Sequence, residues 1–227
     1  MPLIIEKLRI QYPGELVFAD VDLRVEDNEI VAIRSHILDG GTSFLRAIGG
    51  FLNGVGGEVI FRGYNLLEPT PRAINYEIGY VYESHGLVGM FTALENMLLP
   101  MQFHTDLTER EMLERVGTLC DLFSVDESVF QMRPWQLNDV QTRMVNLVRA
   151  LAPEPGLLLI DELEGGMPDD RLIATMAGLR ACQANHDISI VMTTASDVIL
   201  SRADRVFAIA GTALTPEQGV AHDSPAG

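Results

Sequence analysis

Positive charge is what this 227-residue chain has least of: 16 Lys and Arg stand against 32 Asp and Glu, a formal net charge of −16. Neutralising a phosphate backbone takes clustered Lys and Arg, so the balance argues against nucleic acid as a partner. The acid surplus itself reads as solubility. Cysteine is scarce as well. Cys120 and Cys182 stand alone without metal-ligand spacing, which predicts buried thiols in a reducing compartment. No apolar run approaches the roughly 20 residues of a membrane span. The opening "MPLIIEKLRI" has neither the basic start nor the long apolar stretch of a signal peptide. These absences predict a cytosolic, soluble chain, with a peripheral role beneath a membrane left open.

What is present falls into strand and helix patterns. "LIIEKLRIQY" and "LVFADVDLRVE", separated by Pro13-Gly14, form a strand–turn–strand pattern typical of an antiparallel edge sheet. "EIVAIRS" (29–35) reads as a buried strand, and "DGGTSFLRAIGG" (39–50) as a Gly-rich loop opening a helix from about Thr42. "GEVIFRGYNL" (57–66) predicts a strand pair and "EIGYVYES" (77–84) one more strand. From about 90 to 152 the pattern is helical, with Thr108 and Glu111 spaced as a capping box. "GLLLIDEL" (156–163) is a continuous apolar run ending in acids, the pattern of a central parallel strand. A helix over "RLIATMAGLRACQAN" and strands over "ISIVMTTAS" and "RVFAIA" follow. Strands at both ends of a helical block predict an α/β core with a helical insertion.

This order of pieces resembles the nucleotide-binding subunit of an ABC transporter over nearly the whole chain. Tyr12 falls on the family's adenine-stacking aromatic, and "RSHILDGGTSFLRAIGG" on the Walker A loop and its helix. Glu83 falls on the Q-loop glutamine, and "LNDVQTRMVNLVRAL" (137–151) on the signature motif and its helix. "LLLIDE" (157–162) matches the Walker B strand with its adjoining glutamate, and Ala195 in "IVMTTAS" takes the place of the switch histidine. The resemblance implies a P-loop NTPase (RecA-like) α/β core with an N-terminal antiparallel β subdomain and an inserted α-helical subdomain. It makes the chain a single domain: core over 1–89 and 152–215, helical subdomain over about 90–151, and a frayed tail over 216–227.

Against that family the chemistry is edited. A phosphate loop works because glycines let backbone N–H groups curl round the β-phosphate, while a Lys bridges the β- and γ-phosphates. Ser35 and Leu38 replace two of the glycines, Gly41 replaces the lysine, and Asp39 adds a carboxylate beside the retained Gly40, Thr42 and Ser43. At an effective dielectric of about 20, each close unit charge is worth on the order of a few kcal/mol. Arg34 and His36 are the nearby groups that could offset the change. ATP–Mg²⁺ binding is therefore expected to be weak or absent. By the resemblance, Thr42 and Asp161 would hold Mg²⁺ if it bound, and Glu162 would be a vestigial base. The structural alternative makes Asp161 and Glu162 strand-end acids satisfied by nearby backbone N–H groups. An Ala195 methyl cannot contact a γ-phosphate. On the signature, Asn138, Asp139 and Gln141 surround Val140, whose Cβ stands where close approach needs Gly. Asp139 would aim a negative charge at a partner's nucleotide. Both faces of a cassette dimer would be damaged, which implies a pseudo-ATPase.

The stretch 85–111 keeps the family pattern, and it borders the surface that receives the coupling helix of a membrane subunit. Met90, Phe91, Met97, Met101 and Phe103 would supply an adaptable apolar groove there. The implied partners are a transmembrane permease subunit and a second nucleotide-binding-domain chain, as homo- or heterodimer. The implied location is peripheral, on the inner face of the cytoplasmic membrane. "LLPMQFHTDLTE" and Arg143 are similar to the ATPase subunits of MCE-linked phospholipid transporters. Two other readings stay open: a divergent ATPase that uses Glu162 with a recruited Lys or Arg, and a nucleotide sensor that binds through Tyr12 and Thr42 without turnover.

Overall fold

The computed structural model describes residues 1–36, 38–83 and 85–217. In chain order the elements are β1 (Leu3–Tyr12), β2 (Glu15–Val25), β3 (Ile30–Arg34), α1 (Gly41–Ile48), β4 (Gly56–Phe61), β5 (Tyr64–Asn65), α2 (Arg72–Asn75), β6 (Ile78–Val81) and α3 (Ala93–His104). They continue with α4 (Glu109–Leu122), α5 (Asp139–Leu151), β7 (Leu157–Asp161), α6 (Asp169–Asn185), β8 (Ser189–Thr194), α7 (Asp197–Leu200), β9 (Arg205–Ala210) and β10 (Ala213–Glu217).

Two sheets share the load. A four-stranded antiparallel sheet runs β2-β1-β4-β5, its first pair in register from Leu3 opposite Val25 to Tyr12 opposite Glu15. A six-stranded sheet runs β10-β9-β3-β8-β7-β6, parallel throughout except for the β10–β9 pair. Its inner strands β3, β8 and β7 bury both faces, which is why they read as unbroken apolar runs. Ile30 and Ala32, Leu158 and Ile160, Ile190 and Met192 face a core shared with α3, α5 and α6. The alternate residues Val31 and Ile33, Leu157 and Leu159, and Val191 face a second core with α1 and the antiparallel sheet. The helices between β6 and β7 start on capping boxes: Thr92 with Glu95, Thr108 with Glu111, and Asn138 with Gln141. Each box satisfies N-terminal N–H groups that the helix itself cannot.

Four expectations need correction. Strand β7 is fully buried but not central; it lies one place from the β6 edge, covered by the α3–α5 layer. Pro216 and Glu217, expected in the tail, complete strand β10, where Glu217 also meets Arg34; the rest of that tail lies outside the described residues. Met97 and Met101 do not line a groove, because both are fully buried in the core that α3 shares with α4 and α5, where Met97 meets Cys120 of α4. Only Met90 (72% exposed) and Phe103 (63%) of the five stand well out into solvent, with Phe91 half-buried. The "EIGYVYES" strand is shorter than expected, ending at Val81.

Candidate functional site

The C-terminal ends of β3 and β7 meet at the N-terminus of α1, and a cleft of about 560 Å³ opens over them. The turn from β3 into α1 begins at buried Ser35, whose N–H donates to the Thr194 carbonyl at 3.0 Å and so holds the turn to β8. It passes through two left-handed residues, Leu38 (φ 69°) and Gly40 (φ 95°). A Cβ on Gly40 would lie 2.4 Å from Val17 Cγ1, so glycine is required there by space as well as by φ.

Inside this turn the Asp39 carboxylate is fully engaged by its own loop. Its Oδ1 accepts from the Ser35 hydroxyl at 2.9 Å and from the Gly41 N–H at 3.2 Å, and its Oδ2 accepts from the His36 N–H at 2.5 Å. The Asp39 N–H turns back to the His36 carbonyl. Gly41 and Ser35 are interlocked. A Cβ at position 41 would stand 2.3 Å from Ser35 Oγ and 3.0 Å from its Cβ. The serine side chain occupies space that a side chain at 41 would need.

The strand-end corner is built differently. Asp161 is 3% exposed and accepts from three hydroxyls: Thr193 at 2.8 Å, Thr42 at 3.2 Å and Tyr80 at 3.4 Å. Burial raises its pKa above the usual carboxylate range, and the hydroxyls only partly offset this. Among the described residues it is thus held by side-chain hydroxyls and not by backbone N–H groups. Glu162 follows at φ 43°, its N–H shared between the carbonyl and hydroxyl of Thr193. Burial, then the nearby charges of Glu83, Glu164, Asp161 and Asp39, raise its pKa. At the switch position, the Ala195 N–H and the Thr194 hydroxyl both donate to Glu164.

The structure therefore brings Tyr12, Ser35, Gly40, Gly41, Thr42, Ser43, Glu83 and Glu162 around one cleft, with Asp161 beneath it. The Tyr12 and Ser43 hydroxyls sit 3.1 Å apart across the cleft wall. Asn138, Asp139 and Gln141 are elsewhere: Asn138 and Gln141 cap α5 on each other, and Asp139 lines a second cleft with Trp135, Arg143 and Glu83. Ala195 does not line the main cleft either. Glu15, Asp39, Glu83 and Glu162 put four carboxylates on the main cleft, and among the described lining residues there is no Lys or Arg. Arg34 is committed elsewhere, to Asp197 and Glu217 at 3.0 Å each. The chain's single lysine, Lys7, belongs to β1, where its N–H donates to Asp22. Reading the sequence missed three things: the Ser35–Gly41 interlock, the Glu164 bonds and the meaning of a one-lysine chain. The last of these could have been found by counting.

Comparison with known proteins places the geometry. The profile of the ABC transporter family matches residues 18–164. The lipoprotein-releasing system ATP-binding protein LolD of Maricaulis maris is 30% identical over 217 residues, covering 93% of this chain and 94% of its own. The macrolide export ATP-binding/permease protein MacB of Syntrophobacter fumaroxidans is 25% identical over 214 residues, 92% of this chain and 30% of that longer protein. Among solved structures, the dimeric cassette MJ0796 superposes with a TM-score of 0.88 at 22% identity, covering 96% of this chain and 99% of that one.

Proposed function

We propose that this chain, which belongs to the ABC transporter family, is a catalytically silent cassette: a subunit that docks on a membrane permease in a structural or regulatory role and does not turn over ATP. What carries the reading is the missing cation at the loop. A triphosphate needs positive charge against its β- and γ-phosphates. The described residues lining the cleft offer four carboxylates and no Lys or Arg, and the lysine position is a glycine whose missing Cβ leaves room for Ser35. The residues present do not fit a nucleoside triphosphate: two of the loop's N–H groups and the Ser35 hydroxyl are engaged by Asp39, and four carboxylates line the cleft. Thr42 and Asp161 retain the residue types and proximity of a Mg²⁺ seat, but a cation seat beside a loop whose donors already hold Asp39 supports no hydrolysis. With Lys7 on β1 and Arg34 in two ion pairs, His36 is the one described cleft-lining residue that could supply a positive charge, and only when protonated.

The partners that fit are a permease and a second cassette chain, since LolD is by name the ATP-binding protein of a lipoprotein-releasing system, MacB is by name a macrolide export ATP-binding/permease protein, and the structural relative is dimeric. That places the chain on the inner face of a cytoplasmic membrane; no helix among the described residues is long and apolar enough to cross one. We favour a lipoprotein-releasing or macrolide-exporting type of system over the MCE-linked phospholipid type, because the relatives reported above carry those names. Phosphate release from ATP–Mg²⁺ by the purified chain, alone and with its permease, tests the reading. The expected rate is at background. Steady release that disappears in Glu162→Gln would show an active enzyme.

A further inference from the structure

We propose that Asp39 is the loop's resident anion, a carboxylate that fills the oxyanion cradle from within and keeps small phosphates out. The inference rests on the silent-cassette reading and adds the device that keeps the cleft closed to phosphates. A cradle of this kind works by converging donors. Here the donors converge on Asp39: the His36 N–H at 2.5 Å, the Gly41 N–H at 3.2 Å and the Ser35 hydroxyl at 2.9 Å. Ser35 is 2% exposed, so its hydroxyl belongs to a built site and not to a chance surface contact. The carboxylate has the charge and the acceptor oxygens of a phosphate's edge, and its tether gives it a high effective concentration against any free competitor. The surrounding turn supports the same geometry. Gly40 at φ 95° and Leu38 at φ 69° bend the chain so that residue 39 points inward, and Leu38 is left 98% exposed. The loop is therefore folded round an anion without any ligand. A phosphate would have to displace Asp39 and then lie beside the displaced charge.

The test uses the full chain as wild type, Asp39→Gly and Asp39→Asn, titrated calorimetrically with pyrophosphate and with ATP–Mg²⁺. Removing one close negative charge and its self-competition should tighten pyrophosphate binding by at least about tenfold in Asp39→Gly, with Asp39→Asn intermediate. Amide hydrogen exchange should quicken at His36 and Gly41 in both variants, while the β7 amides keep wild-type protection. If folded Asp39→Gly and Asp39→Asn bind pyrophosphate no better than wild type, or those two amides are unchanged, the proposal is wrong. Should Asp39→Gly fail to fold, Asp39→Asn decides by the same two readouts. ATP turnover by the wild type would sink the silent-cassette reading and with it the exclusion of phosphates by Asp39, whereas background turnover with an unchanged affinity ratio between variants would sink the Asp39 proposal alone.

Discussion

Two aspartates a few residues' reach apart are held in opposite ways. Asp161 closes β7, almost wholly buried, against the hydroxyls of Thr42, Thr193 and Tyr80. Asp39 lies half-buried in the turn after β3, against two backbone N–H groups and Ser35. The first is a strand-end acid in a frame of hydroxyls belonging to three other elements, so the whole sheet fixes it. The second is fixed by residues within four positions of itself. Editing a cleft of this kind needs no change to the sheet, because the loop can be rebuilt on an intact frame.

The sharpest way to break that contrast is Gly41→Lys. A side chain there collides with Ser35 and with Thr193 Cγ2 at 3.1 Å, so overpacking should cost about 2 kcal/mol in urea unfolding. Adding Ser35→Gly should recover much of the loss. If Gly41→Lys alone is as stable as wild type, the loop is softer than its packing indicates. Any gain in nucleotide affinity from the lysine should likewise appear only in the double variant.

Asp161→Ala comes next. It leaves the fully buried Thr193 hydroxyl without its acceptor, at about 1–2 kcal/mol. Asp161→Asn keeps an acceptor and removes a charge that burial disfavours, so it should cost less. Equal losses in thermal unfolding would mean that the hydroxyl frame does not depend on this side chain. The smallest effect belongs to Glu162→Gln. A carboxyl with a raised folded-state pKa favours folding below its unfolded value of about 4.3, and that contribution is lost as pH rises through the higher folded value. The glutamine variant should therefore melt slightly higher than wild type at pH 7, with the difference fading toward pH ~4. A difference that is constant with pH would place Glu162 in a more solvated setting than its burial and acidic neighbours imply.

Much of the frame was legible because it rests on local patterns. The Thr108–Glu111 capping box lies within four residues, and the β3, β7 and β8 runs announce strands buried on both faces. The order of motifs placed Thr42 beside Asp161, 119 positions apart in the chain, which spacing alone could not do. The illegible parts are those decided through space. Met90, Phe91, Met97, Met101 and Phe103 look alike in sequence, but packing of α3 against α4 and α5 buries two of them and leaves two in solvent. Asp39 was visible as a charge in the loop. That it turns inward depends on the left-handed residues on either side of it.

The interlock of Ser35 with Gly41 has a consequence for descent. Starting from this sequence, regaining a lysine at 41 passes through an intermediate that is crowded, and clearing position 35 first leaves a hydroxyl-sized gap and one bond fewer on Asp39. Neither single step improves the chain, so the two changes act as a ratchet. Selection on stability alone would hold the loop in its present form, whatever use the cell has for it.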